Sequence, residues 1–185
     1  MWGWPCGHPQ KVLGGDMALG RGEVFRAAVK LEEDGRKFYL ETAGRSSDPI
    51  VRKTFESLAE DELRHIEWLE RIFQGKAPEV VPPQEVYDRL RSIFIEAPRE
   101  VRRSASEVQS DIDAFKVALG MEDRSIEVYK ELAEGTDDEE LKSIYEMLAE
   151  QERIHRRAIE NTMEYLEHPV DWFAREEKWI YEGGP

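Results

Sequence analysis

The chain has 185 residues, 40 acidic against 26 basic, and a formal net charge of −14. That length holds one ordinary domain with a continuous core, and the acidity argues against a nucleic-acid partner, whose phosphates reward clustered Lys and Arg, and against docking on an anionic membrane surface. A single cysteine, Cys6, excludes an intrachain disulfide framework and a four-cysteine metal site; with no apolar run of bilayer-spanning length, the expected compartment is the cytoplasm.

Residues 1–21 read as a tail. They carry Trp2 and Trp4 but no hydrophobic run of signal-peptide length, Cys6 and His8 have no neighbouring ligand types, and Met17 is a second candidate start. A first long helix is expected over Gly22–Gly44. Asp48 caps the second, with Pro49 at the first helical position, where its missing N–H costs nothing, and Gly75 follows the last turn near Phe73. Prolines and the β-branched pair Val80-Val81 break periodicity from Lys76 to Pro83. A short helix over Gln84–Ile95 lies within a long crossover that runs to about Gln109. Ser110 is the expected cap of a third long helix ending at Glu134, before Gly135. Thr136 or Asp137 caps a fourth, which runs to Glu167 before Pro169. Residues 169–185 form an extension in which Trp172, Phe173, Trp179 and Ile180 suit a short amphipathic helix covering the end of the bundle or a dimer partner. The expected fold is therefore all-α, with two helical hairpins over residues 22–168 joined by a long crossover, the connectivity of ferritin-like four-helix bundles.

An internal repeat sharpens this reading. Shifted by 90 residues, Glu32 falls on Glu122, Tyr39 on Tyr129, Leu58-Ala59-Glu60 on Leu148-Ala149-Glu150, Glu62 on Glu152 and His65 on His155. In steps of three and four, the first helix gives Phe25, Ala28, Glu32, Gly35, Tyr39, Thr42. The second gives Phe55, Leu58, Glu62, His65, Leu69, Ile72; the third gives Phe115, Ala118, Glu122, Ser125, Tyr129, Leu132; the fourth gives Tyr145, Leu148, Glu152, His155, Ile159, Thr162. That stepping marks the inward seam of a bundle, so four glutamates and two histidines stand where leucines belong.

Unpaired carboxylates in an interior cost several kcal/mol each, and like charges add repulsion. Four glutamates bring about four negative charges, which two divalent cations balance while the histidines stay neutral. Two ferric ions with one oxide bridge give the same sum. Glu and His three residues apart share a helix face, so each Glu-x-x-His offers an oxygen and a nitrogen to one ion, and the single Glu of each other helix either bridges or binds terminally. The mixed carboxylate and imidazole set suits iron or manganese, with zinc as an adventitious occupant. Tyr39 and Tyr129 are candidates for hydrogen bonds to the ligands, or for plain core packing. Glu33, Glu60, Asp61 and Glu150 lie off the seam and read as solvated charges, and His168 as a surface residue.

These segments, Glu32 to Tyr39 and Glu122 to Tyr129 with Leu58-Ala59-Glu60-Asp61-Glu62-Leu63-Arg64-His65 and Leu148-Ala149-Glu150-Gln151-Glu152-Arg153-Ile154-His155, resemble the di-iron domain of rubrerythrins, within the ferritin-like superfamily. The resemblance covers roughly residues 22–167. It implies two iron ions on Glu32, Glu62, His65, Glu122, Glu152 and His155, and an oxidoreductase that reduces peroxide or dioxygen; the alternative is iron binding, ferroxidase activity or storage without peroxidase turnover. Rubrerythrins proper add a rubredoxin domain with paired Cys-x-x-Cys motifs. This chain has none, so an external electron donor such as a rubredoxin-like protein is expected, together with a homodimer. They also carry a further glutamate one turn after the third-helix ligand, where this chain has Ser125.

Overall fold

The computed structural model describes residues 21–95 and 104–182. The tail with Cys6, His8 and Met17 lies outside the described residues, as do the side chains of Trp179 and Ile180. Six helices follow in order: α1 (Arg21–Arg45), α2 (Pro49–Phe73), α3 (Pro83–Ile95), α4 (Ala105–Glu134), α5 (Glu139–Glu167) and α6 (Pro169–Glu182). Among the described residues there is no strand, and no helix is long and apolar enough to cross a membrane.

Local chemistry explains the boundaries. One Asp48 carboxylate oxygen accepts the amide hydrogens of Ile50 and Val51 at 2.8 and 3.1 Å, satisfying donors that the first turn of α2 leaves open. At the other end Gly75 takes φ 70°, a conformation open to a residue without Cβ. Its N–H bonds to the Ile72 carbonyl and that of Lys76 to Arg71, which closes the helix. Two expected starts move. α4 begins at Ala105 rather than after Ser110, because Ser104 and Glu107 form a capping box: the Ser104 hydroxyl accepts from the Glu107 N–H at 3.3 Å, and the Glu107 carboxylate accepts from the Ser104 N–H at 2.8 Å. α5 is capped by Asp138, whose carboxylate reaches the N–H groups of Glu140 and Leu141, rather than by Thr136 or Asp137.

α1 packs along α2 and α4 along α5; the two hairpins then close on each other through α1–α4 and α2–α5. α3, inside the crossover, lies against α5 and α2 and covers one side of the bundle. Every seam position named from the sequence is buried except Phe25 and Tyr145, which are half-buried. The apolar seam residues form two clusters. One holds Tyr39, Phe55, Leu58, Phe115, Ala118 and Ile159, with Phe55 and Phe115 stacked at 4.3 Å. The other holds Ala28, Leu69, Ile72, Tyr129, Leu132 and Leu148. Along each long helix the acidic and imidazole positions fall between one cluster and the other, so apolar packing seals them from both ends of the bundle. α6 packs on α5, and its Trp172 is buried, 5.0 Å from Phe94 and 5.8 Å from Tyr165, with its indole N–H donated to the Asn161 side-chain oxygen at 2.9 Å.

Candidate metal centre

The structure brings Glu32, Glu62, His65, Glu122, Glu152 and His155 together, none of them more than 3% exposed. They form two overlapping groups, each with ligand atoms within 4.8 Å of one another: Glu32, Glu62, His65 and Glu152 in the first, Glu62, Glu122, Glu152 and His155 in the second. Glu62 and Glu152, the glutamates of the two Glu-x-x-His motifs, belong to both groups. Glu32 and Glu122 belong to one each. Sequence spacing left open which glutamates are shared; the geometry assigns that position to Glu62 and Glu152.

Both imidazoles turn the same nitrogen inward. His65 Nδ1 lies 3.0 Å from Glu152, 3.2 Å from Glu62 and 3.4 Å from Glu32. His155 Nδ1 lies 2.9 Å from Glu152 and 3.6 Å from Glu122. The outward nitrogens are fixed by partners that sequence reasoning placed elsewhere or passed over. Asp61, read as a solvated charge, is fully buried: its carboxylate accepts from His155 Nε2 at 3.1 Å and is also bound by Arg89 of α3 and by Arg64. Gln151 stands at the same place in the second half. Its side-chain N–H₂ donates to the Val81 carbonyl at 2.7 Å, which leaves its oxygen facing His65 Nε2 at 3.1 Å. An ionised carboxylate and an amide oxygen are both acceptors, so each Nε2 carries a hydrogen and each Nδ1 is the nitrogen free to bind a cation.

Asp61 was misplaced for a physical reason. In a bare four-helix bundle the position beside the seam faces water; here α3 covers the flank formed by α2 and α5 and turns that position inward. The signal was present in the repeat, since Asp61 and Gln151 both immediately precede a shared glutamate, and a ligating histidine needs an outer partner. The other off-seam assignments stand: Glu33, Glu60 and His168 are exposed, and Glu150 is half-buried at the surface with Arg153 and Arg157. Tyr39 and Tyr129 cross between halves. Tyr39 donates its hydroxyl hydrogen to Glu122 at 2.5 Å and Tyr129 donates to Glu32 at 2.6 Å.

Electrostatics show how uneasy the cluster is on its own. Burial, then the carboxylates of Glu152 and Glu32, push the Glu62 carboxyl well up; burial, then Glu152, push Glu122 up to about 8. Burial opposes the charge on Glu152, but His65 and His155 outweigh it and hold that carboxyl far below the usual range. Burial likewise disfavours the two imidazoliums, yet Glu152 beside His65, and Asp61 and Glu122 beside His155, raise both. Asp61 stays ionised: burial is outweighed by His155, Arg89 and Arg64. Burial and then Glu122 and Glu32, respectively, raise Tyr39 and Tyr129, so both phenols keep their protons and remain donors. Without a cation, then, protons inside the cluster do the neutralising.

Among the described residues, the buried side-chain polar atoms without a hydrogen-bond partner are Arg64 Nε and five atoms of this cluster: Glu32 Oε2, Glu62 Oε2, His65 Nδ1, Glu122 Oε2 and Glu152 Oε1. Five orphaned lone-pair donors converging on one interior place is what a pair of cations would satisfy, and the oxygen-and-nitrogen set fits iron or manganese.

Comparison with known proteins agrees with this reading. The rubrerythrin family model matches residues 23–112 and again 113–182, one match for each half. Among solved structures, a hypothetical protein from Pyrococcus furiosus is similar at 26% identity and a TM-score of 0.59, over 78% of this chain and 88% of that one. No curated protein matches. Two successive matches spanning both hairpins, over a duplicated Glu and Glu-x-x-His set facing one interior, place the chain in the rubrerythrin family.

Proposed function

We propose that this protein is a di-iron oxidoreductase that reduces peroxide or dioxygen with electrons from an external donor. The observation that carries the reading is the set of five unpartnered donor atoms in a fully buried cluster. Glu62 and Glu152, which belong to both groups, would be shared by the two ions; Glu32 with His65 would complete one position and Glu122 with His155 the other. When bound, a ferrous pair supplies two electrons, enough to convert hydrogen peroxide and two protons to two waters. The chain does the rest. Asp61 and Gln151 hold each imidazole with Nδ1 inward. Tyr39 and Tyr129 keep a proton on each phenol oxygen and steady the two unshared carboxylates. The apolar clusters on either side exclude bulk water and sharpen every charge interaction within. These 185 residues hold no paired Cys-x-x-Cys motif, and the donor in this reading is a rubredoxin-like protein.

Anaerobic ferrous protein mixed with peroxide in a stopped-flow instrument tests this. The expected result is two irons per chain, oxidised faster than free ferrous ion, with a near-ultraviolet charge-transfer band in the product. Oxidation no faster than that of the free ion, or zinc as the metal present in protein from its native host, overturns it. One observation favours a second reading, iron binding or ferroxidase activity without peroxidase turnover: buried Ser125 stands where rubrerythrins proper have a further glutamate. Iron oxidised once, with no further peroxide consumed when a reduced rubredoxin-like donor is supplied, supports that reading. Storage requires a large hollow assembly, so elution as a homodimer counts against it.

A further inference from the structure

The ligands of the two halves match, and the outer partners of their histidines do not. Around each Nδ1 the charged groups are the same in kind: an unshared glutamate plus the shared pair Glu62 and Glu152. Each unshared glutamate accepts one tyrosine hydroxyl, at 2.5 and 2.6 Å. These terms cancel when the two positions are compared. Beside the uncharged Gly35/Ser125 pair, what remains is the outer partner of each histidine. His155 donates to a fully buried carboxylate, Asp61, that Arg64 and Arg89 also bind; His65 donates to a neutral amide oxygen, Gln151, and lies with its ring 5.5 Å from the Trp68 indole.

We infer that the two ion positions are inequivalent: Asp61 makes the Glu122/His155 position the tighter of the two, and Gln151 leaves the Glu32/His65 position the looser. The inference rests on the two-metal reading above. A carboxylate accepting the outer N–H makes imidazole a more electron-rich ligand, and such outer partners are typically worth about 10–100-fold in metal affinity. A neutral amide orients the ring without adding negative charge. Arg64 and Arg89, both bonded to Asp61, oppose the effect. They are about one-third exposed, at 31% and 33% by side chain, so water screens them, whereas Asp61 is dry and touches His155 directly. The arginines match the Asp61 carboxylate with positive charge and hold it aimed at His155. Both outer partners are in turn held by the crossover, Asp61 by Arg89 of α3 and Gln151 by the Val81 carbonyl just before it. Asp61 and Gln151 are thus positioning residues, alike in placement and different in charge.

Cobalt(II) titrated into the metal-free full chain, followed by calorimetry and by the visible cobalt bands, tests the inference. The wild type is expected to take two ions in two resolved steps, about tenfold or more apart. Asp61→Asn weakens the first step by about tenfold and leaves the second; Gln151→Glu tightens the second step and narrows the gap from the other side. A purely structural role for Asp61 would weaken both steps together and leave their ratio unchanged, so that result overturns the inference, as does a wild type that binds two ions with equal affinity or a Gln151→Glu chain with an unchanged second step. If Asp61→Asn loses its helical circular dichroism, the wild-type ratio and Gln151→Glu decide. Saturation at one ion or none overturns the two-metal reading itself, which separates the two failures.

Discussion

The hairpin α1–α2 and the hairpin α4–α5 repeat each other at the ligands and diverge one layer out. Glu32 and Glu122, Glu62 and Glu152, His65 and His155, and Tyr39 and Tyr129 correspond at a shift of 90 residues, while Asp61 faces Gln151 and Gly35 faces Ser125 across the same shift. The matched residues are the glutamates whose charges must balance against cations in a dry interior, with the histidines and tyrosines that bond to them. Of the unmatched ones, Asp61 and Gln151 touch the histidines without having to neutralise an ion. Symmetry is held where charge balance demands it and relaxed where only tuning is at stake.

The largest expected effect breaks the repeat at a shared ligand. Outer partners alone are worth about 10–100-fold, so a direct ligand is worth about a hundredfold or more. Glu62 belongs to both groups and Glu32 to one. Glu62→Gln is therefore expected to lower cobalt(II) affinity at both positions, and Glu32→Gln at one only, as read from the stoichiometry at a fixed low metal concentration. Equal losses from the two substitutions would show that Glu62 is not shared.

A second, smaller effect concerns the metal-free chain and pH. Glu122 in the folded protein keeps its proton up to about 8, against an ordinary value of 4.5. The folded state then binds more protons than the unfolded one between those values, so its stability is full below about pH 4.5 on this account and is lost as pH rises through 8. Raised His65 and His155 act in the same direction, while Asp61 and Glu152, held low, are already ionised throughout this window. The metal-free protein is expected to lose about 5 °C or more in Tm between pH 6 and pH 8. Glu122→Gln flattens that slope, and bound metal removes it by displacing the protons. A Tm that rises from pH 6 to pH 8 in the metal-free chain would contradict the buried-carboxylate account.

How much of this was legible beforehand follows from what each residue answers to. The ligand set could be read because a carboxylate on a bundle seam violates the hydrophobic pattern, and a violation repeated at a fixed shift is hard to produce by chance. Asp48 and Gly75 declared their helix ends through local backbone chemistry. α4 starts six residues before the turn that Ser110 could cap, because the Ser104–Glu107 box already completes a cap there. Asp61 was lost because its burial depends on where the crossover helix lands, a tertiary fact that no helical period of α2 contains. Sharing by Glu62 and Glu152 was open for the same reason: spacing fixes which face a side chain takes, not which neighbour across the bundle it meets.

The smallest effect probes the Gly35–Ser125 mismatch. Glycine inside a helix costs about 0.5–1 kcal/mol relative to alanine, so its presence in the middle of α1 calls for a local reason. A Cβ at Gly35 would meet the Glu62 side chain at 3.8 Å, an ordinary contact rather than a clash. Steric exclusion in the observed conformation therefore does not require glycine, and the methyl would only fill space next to a shared carboxylate. Gly35→Ala is expected to raise the Tm of the metal-free chain by about 1–4 °C, with two cobalt(II) ions still bound. If instead the substitution leaves stability higher but slows oxidation of the ferrous protein by peroxide, the space beside Glu62 is used when that carboxylate shifts during turnover. If it lowers the Tm, the cluster has less slack on the α1 side than 3.8 Å implies, and the two halves differ in packing as well as in charge.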